Sequence, residues 1–140
     1  MRHAAASLLL VSVLFIGQPL DAQSAVDLRG SWSGTSAAVA AGELTHSEST
    51  PLGEPKFASV AWTIVIERQD GRRLIGKRMS ARATESLIGV LSVDNATAYM
   101  VDEDGTLIVR LISKTSLEAC YMEVTAKSRV VSCTVMRKKV

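Results

Sequence analysis

Cysteine, histidine and aromatic residues are scarce in this chain, and its charges nearly balance. Its 140 residues include two Cys, two His and 4% aromatic residues, with sixteen Lys and Arg against fourteen Asp and Glu. A net charge of +2 produces no strong long-range field, which excludes a basic nucleic-acid binder. So few Cys and His leave little material for a zinc site, an iron–sulfur cluster or a multi-cysteine scaffold. We therefore expect no metal and no cofactor.

The N-terminal segment has the layout of a secretory signal peptide. Arg2 precedes an apolar stretch over residues 4–16, and small residues follow from Ala22. A helix of that length spans about 20 Å, against a hydrocarbon core of roughly 30 Å, so a membrane anchor is the weaker interpretation. We expect cleavage after Ala22, a single mature domain over residues 23–140, and a periplasmic or secreted location with no membrane span.

The remainder of the chain has the pattern of short β-strands. β-Branched residues alternate with others in segments of similar length, and turn residues such as Asp94-Asn95 separate these segments. Eight strands are predicted, over residues 30–39, 59–68, 73–80, 86–93, 97–101, 106–113, 117–124 and 130–137. A polar stretch over residues 40–56, containing Pro and Gly, is predicted to be a mobile lid or a functional loop.

Short connections predict an antiparallel meander, and closure into an up-and-down barrel removes its two exposed edges. We expect two sets of side chains to point inward: Val60, Trp62, Ile64 and Ile66 in the second strand, and Leu107, Val109 and Leu111 in the sixth. The middle strands are apolar on both sides, for example at Ile88 and Ile108 as well as at Leu87 and Val109. Either self-association or the long loop would cover their second face.

The first predicted strand begins within Leu-Arg-Gly-Ser-Trp-Ser-Gly, residues 28–34, and Arg137 lies in the last strand. This pattern resembles that of the calycins, the superfamily of lipocalins, avidins and related barrels. The resemblance implies a closed barrel with Trp32 across one end, under Arg137 or alternatively Lys138, a contact worth about 0.5 to 2 kcal/mol. It implies no particular ligand. Small exported barrels of the metalloprotease-inhibitor kind, which begin with a similar strand and contain one disulfide, are also similar in architecture and compartment.

Cys120 and Cys133 lie in the last two predicted strands, at equal distances from the middle of the polar turn between them. A symmetric hairpin sets them opposite each other, and an exported protein meets oxidising conditions. We expect a disulfide that contributes roughly 3 kcal/mol. The alternative is a catalytic thiol, but the only His after the signal peptide, His46, lies in the distant loop.

Several polar features have simple structural explanations. His46 is expected to be a solvated loop residue, and Asp102 and Asp104 are expected to form a hairpin turn, since the later ligands of a calcium loop are missing. Asn95 begins a glycosylation sequon whose use depends on the host. The densest basic group is expected to line a solvated sheet edge; it comprises Arg72, Arg73, Lys77, Arg78 and Arg82.

We expect a binding protein and not an enzyme, because no nucleophile–base pair, metal cluster or phosphate-binding loop emerges. The expected ligand is small and apolar or amphipathic, held in the barrel mouth by Trp62, Tyr99 and the loop of residues 40–56. The loop is expected to modulate access without being needed for the fold. The alternative is a protein-interaction module, such as a protease inhibitor, that uses its N-terminal segment and the loop on a filled barrel.

Overall fold

The computed structural model describes residues 24–139, which form one closed β-barrel. Its strands are β1 (Gly30–Gly42), β2 (Lys56–Asp70), β3 (Arg73–Met79), β4 (Thr84–Leu91), β5 (Thr97–Val101), β6 (Gly105–Ser113), β7 (Ser116–Val124) and β8 (Ser128–Lys138). Each strand pairs antiparallel with the next, and β8 pairs with β1. The predicted eight-stranded meander barrel is confirmed. The predicted signal peptide, residues 1–22, lies outside the described residues.

The connection between β1 and β2 is shorter than predicted. β1 continues to Gly42 and β2 begins at Lys56, so the loop comprises only residues 43–55. The added residues are strand because both neighbours pair with them, as at Ala40, which lies opposite Lys56 in β2 and Val130 in β8. Alanine has a low strand propensity, so the extension comes from the adjacent strands and has no local signal.

The tight turns lie where they were predicted. Gly71, between β2 and β3, has a φ of +56°, and Asn95, between β4 and β5, has a φ of +58°. Glycine adopts this left-handed conformation without a steric penalty, and asparagine tolerates it better than other residues. These two turns let successive strands pair directly.

The barrel interior has an apolar part and a polar part. The predicted inward set is confirmed, since Trp62, Ile64, Ile66, Leu107 and Val109 are buried and Val60 and Leu111 pack against them. Polar side chains replace apolar ones where the strands approach the 43–55 loop. This polar group includes Arg78 at the end of β3, Glu85 at the start of β4, Glu123 at the end of β7 and Ser128 at the start of β8.

The outer face of the middle strands is exposed. Ile88 and Val90 keep 56% and 44% of their surface accessible, and Tyr99 beside them keeps 53%. Of the two alternatives for covering this face, coverage by the long loop is therefore wrong, and self-association stays a prediction. The loop lies instead over the end of the barrel, because its contacts are with side chains and backbone at the ends of β3, β4 and β8.

The opposite end of the barrel is closed by residues 24–29, which precede β1. The side-chain amide of Gln69 accepts a hydrogen bond from the Leu28 backbone N–H at 2.8 Å and donates to the Val26 carbonyl at 2.7 Å. The Asn95 amide binds the same segment, accepting from Val26 N–H and donating to the Ser24 carbonyl. Two side-chain amides thus pair with this segment as a neighbouring strand would.

Trp32 lies across this closed end, 1% exposed, and its indole N–H donates to the Leu28 carbonyl at 3.0 Å. The cation over its ring is Lys138, whose Nζ is 5.2 Å from the ring centroid. The preferred candidate, Arg137, was wrong: it pairs with Ser33 and its side chain is exposed. Adjacent strand residues point to opposite faces, so only one of the two cations can reach the indole.

The predicted disulfide is confirmed. Cys120 and Cys133 are directly opposite each other in the β7–β8 register and are bonded. Both cysteines of the chain are therefore in the disulfide, which lies on the outer side of the barrel, with Cys133 exposed.

We expect Trp32→Ala to lower the free energy of unfolding by about 3 to 5 kcal/mol, because it empties a buried aromatic site. Lys138→Ala should cost about 0.5 to 2 kcal/mol through the lost cation–π contact. Arg137→Ala, the adjacent outward-facing control, should change it by less than about 0.5 kcal/mol. Denaturant midpoints measure all three. An unchanged midpoint for Trp32→Ala, or a larger loss for Arg137→Ala than for Lys138→Ala, would contradict this assignment.

Candidate functional site

The candidate site is the polar interior beneath the 43–55 loop, and strand alternation assembles it. Trp62 on β2, Arg78 on β3 and Tyr121 on β7 all point inward because each shares the phase of buried neighbours, such as Leu74 on β3 and Ala119 on β7. Arg78 is 3% exposed. Its assignment to a solvated basic edge was therefore wrong.

The Arg78 guanidinium lies between two aromatic rings and two carboxylates. Its central carbon is 3.7 Å from the centroid of the Trp62 ring and 3.8 Å from that of Tyr121. Its Nη1 donates to Asp102 Oδ2 at 2.6 Å and is 3.6 Å from Glu85 Oε2. A buried charge is tolerated only when it is paired, and two aromatic faces add favourable electrostatics.

Tyr121 extends this cluster toward the β5–β6 turn. Its hydroxyl donates to Asp104 Oδ1 at 2.7 Å. Burial, followed by the Asp104 hydrogen bond, raises the pKa of Tyr121 far above its usual range, so the phenol stays protonated. The ring fits because residue 105 is Gly: a Cβ there would lie 2.3 Å from ring atoms of Tyr121.

Glu123 lies two residues beyond Tyr121 on the same face of β7. It accepts a hydrogen bond from the Ser128 hydroxyl, and its Oε2 lies 3.3 Å from the Tyr121 hydroxyl oxygen. Burial raises the pKa of Glu123, and the nearby Asp104 and Asp102 carboxylates act in the same direction. This carboxyl therefore keeps its proton to a higher pH than a solvated Glu.

His46 is part of the site, and its prediction as a solvated loop residue was wrong. Its side chain is 13% exposed, and its ring contacts the Trp62 ring edge-on with 4.5 Å between centroids. Nδ1 is 2.8 Å from Ser80 Oγ, and Nε2 is 2.9 Å from Glu85 Oε2, a close contact with an angle too poor for a hydrogen bond. His46 thereby fixes the loop to the β3–β4 corner.

Ser80, His46 and Glu85 form a row of hydroxyl, imidazole and carboxylate. Ser80 Oγ also accepts the backbone N–H groups of Arg82 and Ala83, at 3.1 and 3.3 Å. These two donors occupy the lone pairs of the Ser80 hydroxyl oxygen. The hydroxyl therefore stabilises the β3–β4 turn and holds His46. As placed, the row anchors the loop.

Three carboxylates, of Glu85, Asp102 and Asp104, offer oxygen atoms within 4.8 Å of one another. Asp102 caps its turn as predicted, since its Oδ1 accepts the Gly105 N–H. Its Oδ2 meets Arg78, so the guanidinium offsets part of the negative charge of these carboxylates. The turn interpretation was correct for the backbone but missed the buried ion pair.

A partly open cavity of about 40 Å³ lies between the cluster and the loop and has room for about three water molecules. Its walls carry small side chains such as Ala38 and Ala58, its floor holds Trp62, and its roof is formed by residues 44–47. Outside the roof lies an open groove of about 400 Å³. Four residues line both spaces: His46, Ser47, Ala58 and Val60.

Of the two predicted ligand-binding residues, the structure places Trp62 at this cavity and Tyr99 elsewhere. Tyr99 lies on the outer face of β5, opposite Val90 and Ile108, because its neighbours Ala98 and Met100 point inward. Tyr121 is the tyrosine that lines the cavity. The alternation of inward and outward residues along β7 could have predicted this, since Tyr121 lies on the same face of the strand as Leu117 and Ala119.

Comparison with known proteins identifies no relative of this chain. No protein-family model matches the chain, and neither the curated proteins nor the solved structures searched give a match. Across residues 24–139 no helix has the length and apolar character that a membrane crossing requires. The functional argument therefore depends on the geometry of the site.

We expect Glu123→Gln to raise the thermal midpoint at pH 7, with the gain vanishing near pH 4. Because the pKa of Glu123 is raised in the fold, ionising it costs stability above that pKa, and the cost is absent below the ordinary Glu pKa of about 4.3. Glu118→Gln is the matched control on β7, since Glu118 pairs with Arg110 at the surface. Thermal unfolding of both variants from pH 4 to 7 measures this. A gain for Glu123→Gln that is the same at every pH would contradict it.

Proposed function

We propose that this protein is an exported binding protein that holds a small amphipathic ligand in the cavity beneath the 43–55 loop. One observation carries the proposal: His46 lines both the cavity and the open groove, and its side chain holds residues 44–47 to the β3–β4 corner through Ser80 and Glu85. A ligand larger than a few waters enters when residues 44–47 withdraw. The loop is thus both the roof of the site and its entrance.

The chemistry of the lining selects an amphipathic molecule. Ala38, Ala58 and Val60 offer an apolar wall, while Tyr121 and Glu123 offer polar atoms at the floor. The buried carboxylates of Glu85, Asp102 and Glu123 outnumber the Arg78 guanidinium. A neutral or cationic head group therefore suits the floor better than an anionic one.

Export and a calycin-like relationship belong to the same proposal. The disulfide and the signal-like N-terminal sequence support an oxidising compartment, either periplasmic or extracellular. The closed eight-stranded barrel and the cation over Trp32 support the resemblance to calycins. We infer no cofactor and no catalytic step.

The site is tested with three ligands that share a six-carbon chain: hexanol, hexylamine and hexanoate. We expect hexanol and hexylamine to bind more tightly than hexanoate in calorimetric titrations. Ala38→Leu should weaken binding at least about tenfold, because it fills the cavity wall. Ala37→Leu, one residue away on the outer face, is the matched control and should change affinity less than about twofold. Equal effects of the two variants would place the ligand elsewhere.

The loop is tested by the kinetics of ligand release. His46→Ala should speed release about tenfold, equivalent to about 1.4 kcal/mol, since it removes the anchor to Ser80 and Glu85. Glu43→Ala is the control within the same loop: it breaks an exposed pair with Lys127 and should change release less than about twofold. Stopped-flow displacement measures both rates. An unchanged release rate for His46→Ala would contradict a gate at this residue.

A protein-interaction module, such as a protease inhibitor, is the second candidate. Phe57 is 92% exposed on the outer face at the start of β2, and its cross-strand neighbour Val39 is 46% exposed. Exposed aromatic side chains are common anchors of protein interfaces. Against this candidate, residues 24–28 are bound to the barrel and are not free to enter a cleft. The test is an inhibition assay with a secreted metalloprotease. This candidate would be favoured if the protein inhibits the protease, Phe57→Ser abolishes the inhibition and Ala38→Leu leaves it unchanged.

A further inference from the structure

The outer face of β3 to β6 carries two adjacent rows of apolar side chains. In one row Ile75, Ile88 and Val101 are direct cross-strand neighbours. In the other, Val90, Tyr99 and Ile108 are neighbours in the same way. We call these six residues the apolar face. Five of them expose between 43% and 56% of their surface.

Most of the charges around the apolar face are paired within the chain. Lys77 Nζ is 2.7 Å from Glu67, and Arg110 Nη2 is 3.0 Å from Glu118, so the rim holds satisfied ion pairs. Arg73 at the end of the Val90 row pairs with Asp70. Arg68, which is exposed and opposite Ile75 in β2, forms no ion pair with another described residue, so it has to remain at the solvated rim. With that exception the charges around the apolar centre are paired, which is the arrangement of an interface core with a polar rim.

The area of the apolar face matches what one partner contributes to a stable complex. Six side chains exposing about 80 Å² each give on the order of 500 Å², at the upper end of what a soluble monomer leaves in one patch. A standard interface buries about 800 Å² per partner, of which about 60% is apolar, so its apolar share is also close to 500 Å².

We propose that the apolar face is the interface of a symmetric homodimer, with a second copy of this chain as its occupant. A closed barrel offers no free strand edge, so two copies associate face to face and not by strand addition. A two-fold axis through the apolar face sets the same two rows against each other and leaves the paired charges at the rim. The loop end and its cavity stay outside the contact.

The oligomeric state of the mature, oxidised chain tests this by sedimentation velocity from about 1 to 100 µM. We expect a dimer at the upper concentration, and monomers for Ile88→Lys and Tyr99→Glu, which place charges on two neighbouring strands. Phe57→Lys is the control, because it alters the most exposed apolar residue while leaving the apolar face intact. A monomeric wild type throughout, or a dimer lost in Phe57→Lys and kept in Ile88→Lys, would overturn the proposal.

A second measurement needs no variant. The chain has two tyrosines, of which Tyr121 is 3% exposed and Tyr99 is 53% exposed, so nitration with tetranitromethane reports mainly on Tyr99. We expect the nitrated fraction at Tyr99 to fall at least about threefold between the monomeric and dimeric concentrations. A fraction that is independent of concentration while the protein sediments as a dimer would place the interface elsewhere and overturn the proposal.

Discussion

The buried guanidinium of Arg78 is the constraint on which the loop end of the barrel depends. Its contacts join side chains from β2, β4 and β7 and the turn after β5, so a single cation on β3 links four strands and a turn at this end. Glu85 in turn contacts His46 and so connects the Arg78 cluster to the loop. Without the guanidinium, the carboxylates of Glu85 and Asp102 would be buried without its positive charge, which costs far more than the loss of an exposed ion pair.

The architecture could be predicted because it is encoded locally. Alternation along each strand and turn chemistry between strands defined the meander, and the symmetric placement of Cys120 and Cys133 about their turn defined both their register and their bond. The cation over Trp32 shows the limit of this reasoning. Arg137 and Lys138 are adjacent, and a difference of one residue reverses the face of the sheet.

The candidate site was harder to predict because its residues have charges and positions typical of a surface. Arg78 stands among other basic residues, yet its phase matches that of Leu74 and Gly76, and this phase decides its burial. Tyr99 and Tyr121 could have been separated by the same criterion. His46 had no such signal, since the partners that bury it, Ser80 and Glu85, lie on another part of the chain and no local pattern encodes that contact.

The two ends of the barrel are closed by different means, and this limits where the proposed ligand would enter and leave. At one end, the backbone of residues 24–29 is hydrogen-bonded to the side chains of Gln69 and Asn95, and Trp32 fills the space behind this segment. At the other end, residues 44–47 are held to the barrel through the His46 side chain, and the rest of the loop through contacts such as that of the Arg129 guanidinium with the Leu52 carbonyl. The proposed ligand would therefore enter and leave at the loop end, and one bound molecule would have to dissociate before another binds.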